Sequence, residues 1–150
     1  LYRNQSEVGG PLSFGRVEDT VTDLTEVTGA YPIDIDGDGS LDLAVLRVGE
    51  NLLLRGQGDC RFERGNESWG FDGGEGWTTA FSATWEDQEA LPTLAIGNFL
   101  TSAGLQRGTC AENQLFRPAT GASSYRPPIT LSPGFCTLSK RSLFSAYAAT

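Results

Sequence analysis

A nine-residue stretch of alternating aspartates constrains this chain more than any other feature. Residues 34–42 read Asp-Ile-Asp-Gly-Asp-Gly-Ser-Leu-Asp, so four carboxylates alternate with glycine and with small or apolar residues. Calcium takes about six to eight oxygen ligands, and a tight loop with acidic side chains at alternate positions can supply them. Gly37 and Gly39 would provide the turns, because glycine adopts positive φ without steric cost. The stretch therefore predicts a calcium loop, with a solvated acidic turn as the structural alternative.

The predicted ligands are oxygen atoms from alternate positions of this stretch. They are the side chains of Asp34, Asp36, Asp38 and Asp42 and the backbone carbonyl of Ser40. Carboxylate and carbonyl oxygens are hard ligands that suit Ca²⁺. The chain has no histidine, and its cysteines lack metal-site spacing, which argues against zinc.

The residues on either side of the loop distinguish a strand hairpin from an EF-hand. An EF-hand needs a bidentate glutamate at the twelfth position of its loop, and that position is Val45 here. An EF-hand or dockerin loop also leads into a helix, whereas residues 41–48 read as a buried or half-buried strand. The short segment before the loop, residues 30–33, is also mostly apolar. We therefore expect strand, calcium loop and strand to form a hairpin.

The length suffices for one domain, and the composition favours an all-β fold. The chain has 150 residues, with 19 glycines, 7 prolines and 8 phenylalanines, a mixture that indicates short strands joined by turns. No segment approaches the roughly 18 apolar residues of a membrane helix, and residues 1–20 carry no signal-peptide pattern. The net charge of −8 argues against nucleic acid and anionic membranes as partners, since both attract basic surfaces.

Cysteines and glycosylation patterns point to an extracellular or periplasmic location. Cys110 and Cys136 bracket a segment rich in proline, serine and glycine, and a disulfide between them would contribute roughly 3–4 kcal/mol. Cys60 is then left over, either as a free thiol or with a partner outside this chain. Asn4 and Asn66 each begin an Asn-X-Ser triplet, a pattern that matters only in a eukaryotic secretory route.

The chain resembles itself at a spacing of about fifty residues. One strand-like element with a central arginine recurs at residues 1–4, 53–56 and 115–118. A second element, residues 32–45, aligns with residues 83–96, and a third copy begins at residues 144–146. Units of several short strands cannot bury both faces alone and must stack on neighbours, as the blades of a β-propeller do.

This repeat predicts part of a propeller, with about two to three blades of four-stranded antiparallel sheets. Residues 1–28 would end one blade, and residues 29–76 would form a blade with the calcium loop. Residues 77–135 would form a blade with a degenerate loop and a cysteine-bracketed insertion, and residues 136–150 would begin the next. Since a closed propeller needs about four blades or more, we expect the chain to be a segment of a longer protein.

The second loop of the repeat has lost most of its predicted ligands. Opposite the four aspartates stand only two acids, the set being Trp85, Asp87, Glu89 and Thr93. Ala90 stands where the first loop has Gly39. We therefore expect calcium at the first loop only, with packing holding the second hairpin.

These motifs resemble the FG-GAP/VCBS repeat. The resemblance rests on the Asp-rich hairpin at residues 34–43 and the Leu-Leu-Arg strand that follows it. Residues 72–81, 97–99 and 136–139 are similar, more narrowly, to the cartilage acidic protein family and its bacterial relatives. The resemblance implies a secreted, calcium-stabilised propeller used for binding, without known catalysis. The degenerate second loop and Lys140-Arg141-Ser142 depart from the family pattern.

Aromatic and acidic residues elsewhere suggest further sites, each with a structural alternative. The aromatic set could line a carbohydrate platform, although we favour blade packing; it comprises Trp69, Trp77, Trp85, Phe71 and Phe81. The acidic, glycine-rich residues 72–76 could contact a partner or a second cation, although we favour a connecting loop. The pair Asp87 and Glu89 is interpreted as a calcium-loop remnant rather than a glycosidase pair. Residues 102–133 form either a recognition loop or a stapled structural excursion.

The function predicted from the sequence is adhesion, or binding of a protein or glycan ligand, by an extracellular calcium-binding propeller segment. We expect no catalytic residue in this chain, where a serine nucleophile would have no histidine base. One alternative is an enzyme whose catalytic centre lies outside this chain. Another is an architectural surface repeat that self-associates through exposed strand edges.

Overall fold

The computed structural model describes residues 1–86, 89–101 and 109–132. Ten strands form the regular structure of this part of the chain, which contains no helix, so the all-β prediction is confirmed. The strands are β1 (Tyr2–Asn4), β2 (Phe14–Arg16), β3 (Val27–Ile33), β4 (Asp42–Arg47), β5 (Leu52–Gly56), β6 (Phe62–Arg64), β7 (Gly76–Thr84), β8 (Thr93–Thr101), β9 (Asn113–Phe116) and β10 (Ile129–Leu131).

The strands pair into three antiparallel sheets. Strands β3 to β6 form one four-stranded sheet in sequence order, here called the first meander. Strands β7 to β10 form a second four-stranded sheet in the same order, the second meander. Strands β1 and β2 form a two-stranded hairpin. Each four-stranded sheet is therefore built from strands that are consecutive in the sequence.

The opening hairpins of the two meanders have the same register. In the first meander Ile33 pairs with Asp42, so residues 34–41 connect β3 to β4. In the second meander Thr84 pairs with Thr93, so residues 85–92 connect β7 to β8. Both connections thus contain the same number of residues, and the two hairpins can be compared position by position.

One face of the first meander packs on one face of the second, and the main core lies between them. Side chains alternate between the faces of a strand, and one face of the first meander buries Ala44, Leu46 and Leu53. These side chains meet a buried apolar face of the second meander, represented by Leu94 and Phe116. Burial of such side chains contributes about 1.5–3 kcal/mol each, which makes this interface the main stabilising contact of the fold.

The opposite face of the first meander is covered by the segment that precedes it. A second buried cluster lies on this face, formed by side chains that alternate along β4 and β5 with those of the main core: Val45, Leu52 and Leu54. Val21 and Leu24, which lie between β2 and β3, pack against this cluster. The first meander is therefore buried on both faces, which explains the nearly continuous apolar sequence of β4 and β5.

The second meander is buried on one face only within the described residues. Leu115 alternates with the buried Phe116 and lies on the other face, where Ile129 pairs with it across β9 and β10. Ile129 and Leu131 are 51% and 47% exposed. By strand pairing, Leu54 of the first meander corresponds to Phe116 of the second, because they face Leu43 and Leu94 respectively. We call the face with Leu54 or Phe116 the front of its meander and the face with Leu53 or Leu115 the back. The back of the first meander packs on the front of the second, and within the described residues the back of the second is open.

Some of the sequence predictions concern residues that the structure does not describe. Asp87, Cys136, residues 136–150 and part of the 102–133 insertion lie outside the described residues, so the Cys110–Cys136 disulfide stays a prediction. Cys60 is a free, half-buried thiol. Across the described part of the chain there is no helix long and apolar enough to span a membrane.

Candidate metal centre

The Asp34–Asp42 loop folds around its own carboxylates. The carboxylate of Asp34 accepts hydrogen bonds from the backbone N–H groups of Gly37 (2.9 Å) and Gly39 (3.1 Å). Gly37 and Gly39 have φ values of 72° and 86°, a region that glycine enters without strain. The glycines thus supply the turns, as the sequence predicted.

Asp36 and Asp38 continue the same pattern of short-range bonds. Asp36 Oδ1 accepts a hydrogen bond from the N–H of Asp38 (3.3 Å), and Asp38 Oδ1 accepts one from the N–H of Ser40 (2.7 Å). Aspartates commonly bond the backbone two residues ahead in this way. The loop's own amides therefore bond Oδ1 of Asp36 and of Asp38 and leave the Oδ2 atom of these two carboxylates for other partners.

Asp42 joins the loop to two strands. It begins β4, is fully buried, and accepts hydrogen bonds from the N–H groups of Ile35 and Gly56, both at 2.8 Å. Gly56 ends β5, and a Cβ atom there would lie 2.3 Å from the carbonyl oxygen of Leu41. Because glycine has no side chain, the backbone of β5 can approach the loop closely enough for the Gly56 N–H to donate to Asp42.

The buried position of Asp42 raises the pKa of its carboxyl group. Burial is the largest cause, and the negative charges of Asp36 and Asp38 act in the same direction. The hydrogen bonds from Gly56 and Ile35 oppose the shift. A divalent cation beside these carboxylates would favour the ionised form of Asp42, since an opposite charge nearby stabilises it.

Three of the predicted ligands converge. Asp34, Asp36 and Asp42 each offer a carboxylate oxygen within 4.8 Å of the others, so together they could hold a metal ion. Asp38 is not a member of this group; its side chain is exposed and bonds Ser40. The convergence of the three carboxylates depends on the turns at residues 37 and 39, which fold the loop back on itself.

One oxygen of the cluster faces an arginine. Asp36 Oδ2 is buried and meets no hydrogen-bond criterion, and Arg55 Nη2 lies 2.6 Å away from it as an ion pair. At that distance the charge of the guanidinium compensates the buried oxygen. The donor set of carboxylate oxygens fits a hard cation of the calcium type.

No family model, curated protein or solved structure matches this chain. What it does is therefore inferred from its own sequence and geometry.

The described residues of the second hairpin form a smaller polar group. Glu86 Oε1 accepts a hydrogen bond from the hydroxyl of Thr93 (2.7 Å), and Arg117 Nε lies 3.9 Å from the same oxygen. Thr93 occupies the position of Asp42, and Glu86 that of Ile35. Within the described residues no group of three potential metal ligands occurs here. Sequence reasoning had not identified Glu86 or its bond to Thr93.

A buried polar network, which sequence reasoning also missed, links the two meanders. The amide of Asn51 donates to the carbonyl of Gly73 (2.9 Å) and to the hydroxyl of Thr78 (2.8 Å), which in turn donates to Asn98 (2.6 Å). Asn98 N–H donates to the side chain of Asn113 (2.8 Å). The signal was present in the sequence, because Glu-Asn-Leu-Leu-Leu-Arg at residues 50–55 matches Glu-Asn-Gln-Leu-Phe-Arg at residues 112–117.

The aromatic set, for which we favoured packing over a carbohydrate platform, divides into core and surface residues. Trp69 and Phe71 are buried in the main core. Trp77 packs edge-on against Phe99, with ring centroids 5.8 Å apart. Trp85 is 54% exposed and lines an open groove of about 640 Å³ near Asp34. The five aromatics therefore do not form one binding surface.

The two glycosylation triplets differ in accessibility. Asn66 is 5% exposed, and its Nδ2 donates to the carbonyl of Asn51 (2.9 Å) while its Oδ1 accepts from Leu53. Asn4 is exposed in β1, and its Oδ1 accepts a hydrogen bond from Ser6 N–H. In the folded state the Asn66 amide nitrogen is therefore buried and hydrogen-bonded to the backbone of Asn51, whereas the Asn4 side chain is accessible.

Proposed function

We propose that this chain is a calcium-binding segment of an extracellular β-propeller that serves adhesion, or the binding of a protein or glycan ligand. The observation that carries the proposal is the convergence of Asp34, Asp36 and Asp42 at the turn between β3 and β4. Four aspartates with alternate spacing, three of them meeting at one point, suit an oxygen-liganded cation better than a solvated turn.

The stacking of the two meanders supports the propeller part of this proposal. Both meanders have four antiparallel strands in sequence order, and the back face of the first packs on the front face of the second. Stacking in one direction propagates from unit to unit, which is how repeat proteins bury faces that no unit can bury alone. The open back face of the second meander, with Ile129 and Leu131, is where a further unit would continue the stack.

Calcium has a structural role in this proposal. Asp42 is bonded to Ile35 in the loop and to Gly56 at the end of β5, so an ion held by Asp42 also ties β5 to the first hairpin. An ion that binds the folded state and not the unfolded chain adds to stability by mass action, about 2.7 kcal/mol at a concentration of one hundred times Kd.

Thermal unfolding of the full 150-residue chain in millimolar calcium and in excess chelator tests the proposal. We expect a cooperative transition whose midpoint rises by several degrees with calcium, since about 1 kcal/mol shifts the Tm of a domain this size by roughly 2–4 °C. Magnesium at the same concentration is the control for ionic strength and general divalent binding. A midpoint that calcium leaves unchanged would reduce the Asp34–Asp42 loop to an acidic turn.

A further inference from the structure

Arg55 lies against the acidic loop from the end of β5. Its Nη2 atom is 2.6 Å from Asp36 Oδ2 and 3.7 Å from Asp38 Oδ2. The Asp36 side chain is only 11% exposed, whereas that of Arg55 is 38% exposed. The guanidinium therefore lies at the surface of the loop, with its charge directed at a buried carboxylate.

The oxygen that Arg55 contacts belongs to the proposed calcium site. Asp36 Oδ1 already accepts the N–H of Asp38, so Oδ2 is the oxygen of Asp36 without a hydrogen bond. A calcium ion that takes this oxygen would lie close to the guanidinium. Two like charges at such a distance repel each other, and the repulsion is larger for a divalent ion.

The second meander has an arginine at the same position. Strand pairing places Arg117 after Phe116 as it places Arg55 after Leu54. Arg117 Nε lies 3.9 Å from the carboxylate of Glu86 in its own hairpin loop. An arginine at this position thus approaches a carboxylate of its own hairpin connection in both meanders.

We propose that Arg55 is the internal counter-cation of the calcium-free loop, and that calcium binds by displacing its guanidinium from Asp36. This inference rests on the calcium site proposed above and names the residue that sets its affinity. Arg55 neutralises part of the loop charge when calcium is absent and lowers the affinity when calcium arrives. Its exposed position allows the displaced guanidinium to move into solvent without disturbing the core.

Calcium titration of the full chain by calorimetry, with matched arginine variants, tests the inference. We expect Arg55→Gln to lower the Kd for calcium by roughly tenfold, or about 1.4 kcal/mol, because calcium no longer has to break the ion pair between Arg55 and Asp36. Arg55→Lys keeps the charge and should bind calcium with nearly the wild-type Kd. Arg117→Gln, the equivalent change in the second meander, should leave the Kd unchanged.

A second measurement needs no variant. The side-chain Nε–H resonance of Arg55, followed by NMR in the wild-type chain, should shift in proportion to calcium saturation while that of Arg117 stays in place. A stationary Arg55 resonance at saturation would overturn the inference even if Arg55→Gln failed to fold.

The outcomes separate this inference from the calcium site itself. Calcium binding that Asp42→Asn abolishes, but that has the same or a higher Kd in Arg55→Gln, overturns the role of Arg55 and leaves the site standing. A chain that takes up no calcium either as wild type or as Arg55→Gln overturns both.

Discussion

The two hairpins that open the meanders share a backbone plan and differ in chemistry. Both join two antiparallel strands through a connection of equal length, residues 34–41 and 85–92. In the first, Asp34, Asp36 and Asp42 converge. In the second, Glu86 bonds Thr93 and lies beside Arg117. The comparison shows that strand pairing keeps the same register in both hairpins, while the chemistry of the described connection residues differs.

The connections at the other end of β4 and β8 keep the same chemistry in both meanders. Asn51 accepts the N–H of Arg47 (2.9 Å), and Asn113 accepts the N–H of Asn98 (2.8 Å), at equivalent positions of the two meanders. Asn51 is buried and also donates to Gly73 and Thr78, whereas Asn113 is half-buried. At this end the chemistry is kept, since in each meander the asparagine side chain accepts a backbone N–H from the preceding strand.

The largest expected effect separates these two asparagines. Asn51→Ala leaves the N–H of Arg47 and the carbonyl of Gly73 without their side-chain partner in a buried setting, at a cost of about 2–4 kcal/mol. Asn113→Ala loses one such bond at a more accessible site, and we expect about 1 kcal/mol. Urea denaturation monitored by fluorescence gives both values, and equal costs would contradict the special role of the buried network.

An intermediate effect compares equivalent positions of the two hairpins. In chelator, Asp42→Ala leaves the N–H groups of Ile35 and Gly56 unpaired, a loss of about 1–3 kcal/mol, partly offset by relief of repulsion from Asp36 and Asp38. Thr93→Val removes one bond to the exposed Glu86, which water can replace, and should cost about 0.5 kcal/mol. The free energy of unfolding in denaturant measures both. A Thr93→Val loss as large as that of Asp42→Ala would show that the second hairpin depends on its polar group just as strongly.

The last expected effect appears only when calcium is present. Asp36→Ala removes a member of the cluster and should abolish the calcium-dependent rise in Tm. Asp38→Ala removes a side chain outside the cluster, so it should reduce that rise without eliminating it. Glu86→Ala, in the second hairpin, is the matched control and should leave the response to calcium at its wild-type value. Loss of the response in Asp38→Ala would instead place Asp38 among the ligands.

Much of the fold and the position of the candidate site follow from local sequence patterns. The alternation in residues 41–48 predicts a strand after the loop, and β4 covers Asp42–Arg47. Gly37 and Gly39 were expected to adopt positive φ, and both do. These predictions succeed because side-chain alternation and glycine conformation depend on neighbours along the chain.

Contacts between distant residues were not predictable in the same way. Trp69 and Trp85 look alike in the sequence, yet one is buried in the main core and the other is 54% exposed. Asn66 matches a surface glycosylation pattern, yet it bonds the backbone of Asn51 and Leu53 inside the core. Their environments depend on how the two meanders and the segment after β6 pack together, which local pattern does not encode.

The sequence by itself determined that this chain is all-β and that an acidic, glycine-bearing turn lies between two apolar strands. The tertiary structure alone decided that Asp34, Asp36 and Asp42 converge, that Asp38 stays outside the cluster, and that β5 brings an arginine to the turn. The reason is physical: strand alternation and turn conformation arise from steric contacts within a few residues. The position of a charge relative to another depends on strand pairing across the sheet, as when Gly56 at the end of β5 reaches Asp42 at the start of β4.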